Sequence, residues 1–186
     1  GKMGLSGSIT AQEALGTHSN QIGSTAKAVI KIAFITESLG FLGLTLLLEP
    51  LKGLKDAMYE AFFLCISAFN NAGFALNGNN MTAYVHQPMI SFIISLLIIT
   101  GGIGFLVILD IIKHKRWQKF TLHTKVMVLG TLALNIIGCI LYWLLERHNA
   151  KTIGGLSEAG QWFASWFMAV TSRTAGFNNV DYSQVT

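Results

Sequence analysis

Two apolar runs in this chain are too short to cross a bilayer, and both end at the tripeptide Ala-Gly-Phe. The first, Tyr59 to Phe69, breaks into Asn70-Asn71-Ala72-Gly73-Phe74. The second, Trp162 to Thr171, breaks into Ser172-Arg173-Thr174-Ala175-Gly176-Phe177-Asn178. A spanning helix takes about 20 apolar residues, and at about 1.5 Å per residue each run reaches roughly halfway through the hydrocarbon. Setting Gly73 over Gly176 pairs Tyr59 with Trp162, Ala61 with Ala164 and Phe63 with Trp166. A lone Ala-Gly-Phe is a turn glycine; two copies in register, each closing a half-length helix, are an internal repeat.

The surroundings of both runs belong to a membrane. Only 12% of the 186 residues are charged and 52% are hydrophobic, against about 25% charged in soluble proteins. Mean hydropathy is +0.52. Three longer apolar runs, Ala26 to Leu48, Pro88 to Lys113 and Thr124 to Glu146, read as spanning helices. Cys65 and Cys139 lie inside apolar runs and read as small buried hydrophobes. The five histidines are scattered, without ligand spacing. There is no clustered metal set, Walker loop or paired nucleophile and base, so the chain does not read as an enzyme. An aquaporin-like pore also uses half-helices, but neither break here contains proline. The chain opens at Gly1-Lys2-Met3-Gly4, which reads as a fragment; Gly1 to Leu5 matches the Gly-x-x-Gly pattern of Gly101 to Phe105, the tail of a membrane helix.

Charge placement predicts orientation. Lys113, Lys115, Arg116, Lys119 and Lys125 stand in one loop without an acid, and Lys27 and Lys31 flank the same side. Basic residues beside Trp117 could suggest nucleic acid, but a cytoplasmic loop obeying the positive-inside rule is the stronger reading. No nucleic-acid partner is expected, and the lipid bilayer is. The loop 113-125 is therefore expected in the cytoplasm of a plasma-membrane protein, with both Ala-Gly-Phe segments entered from the extracellular side. Glu37 lies in the first spanning run: it is either a functional carboxylate or a group at the headgroup zone or bonded to a neighbouring helix. Asn135, mid-way along the third, needs a partner across helices. Asn80-Met81-Thr82 matches a glycosylation sequon, a weak three-residue match.

A half-helix ending inside the membrane needs a chemical reason, because irregular backbone there must be buried or must line water. Its final carbonyls carry about half a negative charge, which suits a cation. A glycine supplies the positive φ by which the next segment turns its carbonyls inward as ligands.

These residues resemble the second and third selectivity-filter segments of the Trk/Ktr/HKT superfamily of potassium transporters, and most of all the membrane (pore) subunit of the bacterial Ktr system. Thr100 to Lys119, a Gly-rich helix followed by a basic loop, also resembles that subunit. The resemblance implies an all-α polytopic membrane protein of helix–pore-helix–helix units, four in a complete pore. Residues 1-25 would end the first unit and make a cytoplasmic connection. Residues 26-119 would be the second unit, with helix 26-49, pore helix 57-69, filter 70-76 and helix 88-113. Residues 120-186 would be part of the third, with helix 124-146, pore helix 161-171 and filter 172-178.

It further implies potassium transport through backbone carbonyls of Asn71, Ala72, Gly73 and Phe74 and of Thr174, Ala175, Gly176 and Phe177. K+ would be the transported ion, with no tightly bound cofactor. Arg173 would tune cation entry, or else pair structurally with Glu158 or Asp181. The family forms membrane homodimers and docks a cytosolic nucleotide-binding regulatory subunit, here expected at Lys113 to Phe120 and Gln12 to Thr25. A non-conducting, partner-binding scaffold and a sodium-permeable member of the same superfamily are the alternatives.

Overall fold

The structure is a computed structural model that describes residues 5–186 apart from Asn77 and Asn79, with side chains from residue 23 onward except that of Tyr182. The resemblance of Gly1 to Leu5 to a helix tail falls on residues 1–4, outside the described residues. Among the described residues six α-helices follow one another: α1 (Leu5–Lys52), α2 (Leu54–Phe69), α3 (Pro88–Gly102), α4 (Phe105–His114), α5 (Leu122–Glu146) and α6 (Glu158–Thr174). No strand occurs among the described residues. The chain divides into two compact units, residues 1–35 and 36–186. The first is made of the leading part of α1. The second begins at Thr36 and holds the rest of α1 and all the later helices.

Two helical segments, Gly23–Lys52 and Leu122–Glu146, are long and apolar enough to cross a membrane, and α3 with α4 makes a third if that bent pair is one span. α1 and α5 turn many large apolar side chains outward, among them Phe34, Leu42 and Leu46 on α1 and Leu129, Leu134 and Leu141 on α5. Such a surface belongs against lipid or further helices rather than water. The polar stretch expected as a connection over 1-25 is helical from Leu5 on. It contains no proline to break the ladder, so a change in polarity is not matched by a change in backbone.

α2 and α6 both stop short of a spanning helix. They are longer than the apolar runs suggest, at 16 and 17 residues. α2 gains Leu54, Lys55 and Asp56 ahead of the expected start at 57. α6 gains a first turn capped by Ser157, whose hydroxyl accepts from the Gly160 N–H. α6 also runs on through Thr174, three residues into the segment expected as filter, 172-178. Ser172, Arg173 and Thr174 are helical because their polarity does not prevent i→i−4 bonding.

The helix expected over 88-113 is two helices meeting at 93°. The break falls at Gly102-Ile103-Gly104, and Gly104 takes φ +97, a conformation rarely open to other residues. The neighbouring Gly101 explains why the sequence is so rich in glycine here. A β-carbon on it would stand 1.7 Å from the Phe69 carbonyl oxygen. α3 thus lies with its backbone directly against the end of α2. On the far side of the bend, Asp110 of α4 accepts from the Thr121 N–H (2.9 Å) and hydroxyl (3.0 Å), which ties α4 to the N-cap of α5.

One core joins the helices of the second unit. Leu44 and Leu48 of α1, Ala61 and Leu64 of α2, Ile94 and Leu97 of α3, and Ala164 and Phe167 of α6 are all buried in it. Small residues let the helices approach: Gly40 sits under Leu97 and Cys65, and Gly43 under Ile93. Both cysteines are free and buried, as their apolar surroundings predict. The paired positions of the repeat have matching environments: Ala61 and Ala164 are buried, Tyr59 and Trp162 exposed, Phe63 and Trp166 between the two.

Candidate ion site at the paired re-entrant segments

α2 and α6 end beside each other, and the backbone after each turns on its glycine. Gly73 has φ +73 and Gly176 φ +74. L-residues pay roughly 1–2 kcal/mol for such a conformation, so glycine is the residue that reaches it without strain. Asn71, at φ +55, takes a second left-handed step in the first segment, which asparagine tolerates.

A hydroxyl from the last turn of each helix holds the segment back against it. The Ser67 hydroxyl donates to the Phe74 carbonyl at 2.8 Å and accepts from the Phe74 N–H at 2.9 Å. The Thr171 hydroxyl donates to the Phe177 carbonyl at 2.8 Å. In both copies the bonded carbonyl is that of the residue after the glycine, so Phe74 and Phe177 direct their carbonyls toward their own helix. Ser67 stands six residues before its glycine and Thr171 five. The extra residue is the one accommodated by the left-handed Asn71. Spacing aligned on the glycines therefore misses this equivalence, and neither hydroxyl stands out in the sequence.

The two segments touch directly. The Thr174 hydroxyl donates to Asn71 Oδ1 at 2.7 Å, joining the positions just before each Ala-Gly-Phe. A β-carbon on Gly73 would lie 1.9 Å from the Ala175 carbonyl oxygen. Gly73 is thus required twice, for its φ and for the space its missing side chain leaves to Ala175. Gly176 has the same φ but nothing within 4 Å of the equivalent position. The phenylalanines differ in the opposite sense: Phe177 is fully buried and Phe74 is 69% exposed. Ala72 is exposed and Ala175 buried.

The loop after the first segment lies across both. Asn80 Nδ2 donates to the Gly73 carbonyl at 3.2 Å, and Asn80 Oδ1 accepts from the Asn178 N–H at 3.4 Å. The Met81 N–H donates to the Asn178 carbonyl at 3.0 Å. The amide that the sequon reading would make a glycan acceptor is engaged with the segments instead. Beyond it, Tyr84 donates to Glu60 Oε1 at 2.6 Å, and Lys52 Nζ donates to Glu60 Oε2. Glu60 on α2 is 4% exposed, and these two bonds help to hold its carboxylate in place. A cleft of 620 Å³ opens above, lined in part by Asn80, Asn178, Asn179 and Asp181. The Asp181 carboxyl is held below its ordinary range by the Ser183 N–H and hydroxyl.

Arg173 pairs with neither Glu158 nor Asp181. Its guanidinium reaches back to α5, to Asn135 Oδ1 at 3.4 Å and Thr131 Oγ1 at 3.5 Å. This supplies the cross-helix partner that Asn135 needs, and it leaves the arginine charge facing neutral oxygens. Thr131, Arg173 and Thr174 border the α3–α4 break at Gly102 and Ile103. Glu37 on α1 is half-buried.

Two helix C-termini thus converge where their dipoles place negative potential. The TrkH family profile, described as cation transport protein, matches residues 1–186. The chain belongs to the TrkH family. It is 41% identical over 190 residues to the Ktr system potassium uptake protein B of Vibrio alginolyticus, covering 100% of this chain and 41% of that protein. It is 41% identical over 188 residues to the protein of the same name in Bacillus subtilis, covering 99% and 42%. The potassium/sodium uptake protein NtpJ of Enterococcus hirae is 34% identical over 158 residues, covering 85% and 35%. This TrkH-family chain therefore spans about two fifths of the length of the Ktr relatives it matches.

Proposed function

We propose that this TrkH-family chain is part of a potassium-translocating pore, and that the backbone at Asn71, Ala72, Gly73 and Phe74 and at Thr174, Ala175, Gly176 and Phe177 forms two sectors of its selectivity filter. The observation that carries this is the pair of half-helices, ending side by side at glycines of the same positive φ and bonded to each other through Asn71 and Thr174. The two ends of the arc support it further. Gly73 abuts the next segment while Gly176 is open, and Phe177 is covered while Phe74 is bare. Each segment so offers a glycine face forward and a phenylalanine face back, which suits continuation into a closed ring.

Selectivity follows from carbonyls replacing the water shell of the ion. The carbonyls of Phe74 and Phe177 serve mainly to set the curvature, because Ser67 and Thr171 hold them. Those of Asn71, Ala72, Thr174, Ala175 and Gly176 are the better ligands. The guanidinium of Arg173, beneath the filter, raises the local barrier to cations.

The membrane is the plasma membrane, the loop 113-125 is cytoplasmic and the filter opens outward. The Ktr relatives, each named as one protein of a system, support a membrane subunit that works with a cytosolic regulatory subunit; that this regulator binds nucleotide and docks on the basic loop, and that the membrane subunit is a homodimer, belong to the proposal. Passage of sodium as well as potassium is the second reading, favoured by the likeness to a relative named for both ions.

Growth of a potassium-uptake-deficient host on limiting potassium tests the proposal. The complete protein should rescue it, and Gly73→Ser and Gly176→Ser should each lose discrimination of potassium over sodium. Unchanged uptake of both ions by these variants would reject the filter and leave a non-conducting scaffold as the better reading.

A further inference from the structure

We propose that Asn80 is a positioning residue of the ion site, a side-chain amide that couples the two filter segments and weakens the field of one ligand carbonyl. The inference rests on the filter reading above and extends it to a residue outside either Ala-Gly-Phe motif.

Asn80 meets both segments with one planar group. Its Nδ2 donates to the Gly73 carbonyl at 3.2 Å and its Oδ1 accepts from the Asn178 N–H at 3.4 Å. Because the amide is rigid, these contacts fix the distance between the outer ends of the two segments. The residue itself is pinned. Its φ is +54, a left-handed conformation that asparagine adopts more readily than most non-glycine residues. The next residue, Met81, is fully buried and donates its N–H to the Asn178 carbonyl at 3.0 Å. Three residues further on, Tyr84 is anchored on the buried carboxylate of Glu60. The strap 80–84 is therefore held at both ends.

The chemical consequence lies at the Gly73 carbonyl. An oxygen that accepts an N–H has less electron density to offer a cation, and its direction is restrained. Strong-field oxygens favour the smaller, more tightly solvated cation; weaker and more widely held ones favour the larger. The number and field strength of the carbonyls are among the terms that set potassium over sodium preference. The Asn80 amide thus biases the site toward potassium.

Two variants of the complete protein, produced with its partner subunits, separate this role from plain structure. Asn80→Gly removes the amide but keeps the positive φ. Asn80→Asp keeps an oxygen to accept from Asn178 and deletes the donor to Gly73. Uptake of potassium and of sodium is measured on the same cells, with Gly73→Ser in parallel. Both Asn80 variants should lower the potassium-to-sodium uptake ratio by about fivefold, the factor carried by one neutral hydrogen bond. An equal fall in uptake of both ions, with the ratio kept, would overturn the proposal, since that is what loss of folded protein does. A kept ratio in both Asn80 variants beside a collapsed ratio in Gly73→Ser would also overturn it, and would leave the filter standing. A ratio kept in all three variants would remove the filter reading and this inference with it.

Discussion

Gly73 and Gly53 separate two demands that a glycine can answer. Gly53, between α1 and α2, has φ +80 and nothing within 4 Å of where a β-carbon would stand. Gly53→Ala should therefore cost only the backbone strain of an L-residue in this region, about 1–2 kcal/mol. Gly73 has nearly the same φ, but its β-carbon would stand 1.9 Å from the Ala175 oxygen, where ordinary contact begins near 3.4 Å. Gly73→Ala must move the two segments apart by about 1.5 Å, the difference of those two distances. The obstacle is backbone, so no rotamer change relieves it. Ligand groups are effective only when held within about 0.5 Å, and the bond from Thr174 to Asn71, at 2.7 Å, cannot stretch by that much and survive. The expected outcome is a thermal unfolding midpoint lowered in both variants and lowered further in Gly73→Ala. The potassium-to-sodium uptake ratio should be lost in Gly73→Ala alone. Equal behaviour of the two variants in both assays would refute the close approach of Gly73 to Ala175.

Three further perturbations test the supports of the site. Lys52→Met removes one partner of the buried Glu60 carboxylate and should destabilise by about 1–2 kcal/mol; adding Glu60→Gln should recover part of that in a double-mutant cycle by thermal unfolding. Thr171→Val strips the Phe177 carbonyl of the Thr171 hydroxyl in a buried setting and should cost about 1–3 kcal/mol; Ser67→Ala deletes two contacts to Phe74 but in a half-buried place, and should shift the unfolding midpoint by no more than Thr171→Val. The Asp181 turn should open in acid: a carboxyl held below its ordinary value near 3.8 contributes stability that is full above that value and lost as the pH falls through the lower, folded one. The protection of the Ser183 amide against exchange, taken relative to the intrinsic rate at each pH, should fall at low pH in the wild type and already be lost at neutral pH in Asp181→Asn.

Much of the helix pattern was legible in advance because it depends on local apolarity. The half-helices at Tyr59 and Trp162, the spanning run over 124-146 and the glycines at 73 and 176 follow from run length and from the φ a re-entrant turn demands. The buried cysteines and the need of Asn135 for a partner followed in the same way. Helix ends were less legible. α6 continues through Ser172, Arg173 and Thr174 because polar residues do not end a helix unless something competes for its backbone. The break at Gly102-Ile103-Gly104 was not legible from run length, which makes 88-113 a single helix. Beside it Gly101 lies against the Phe69 carbonyl, a contact between residues 32 positions apart that run length does not reveal.

The amino-acid sequence by itself determined that this chain is helical and membrane-bound, that two of its helices stop part-way, and that each stop carries a glycine. These are properties of neighbours along the chain. The tertiary structure alone decided that Gly73 faces Ala175 while Gly176 is open. It also decided that Thr174 bonds Asn71, that Arg173 turns to Asn135 and Thr131, and that Asn80 reaches across to Asn178. Those pairs are separated by 38 to 103 residues. The physical reason is that hydrogen bonds and backbone contacts are satisfied by whatever group arrives within about 3 Å, and folding, which acts on the whole apolar surface at once, determines which group that is.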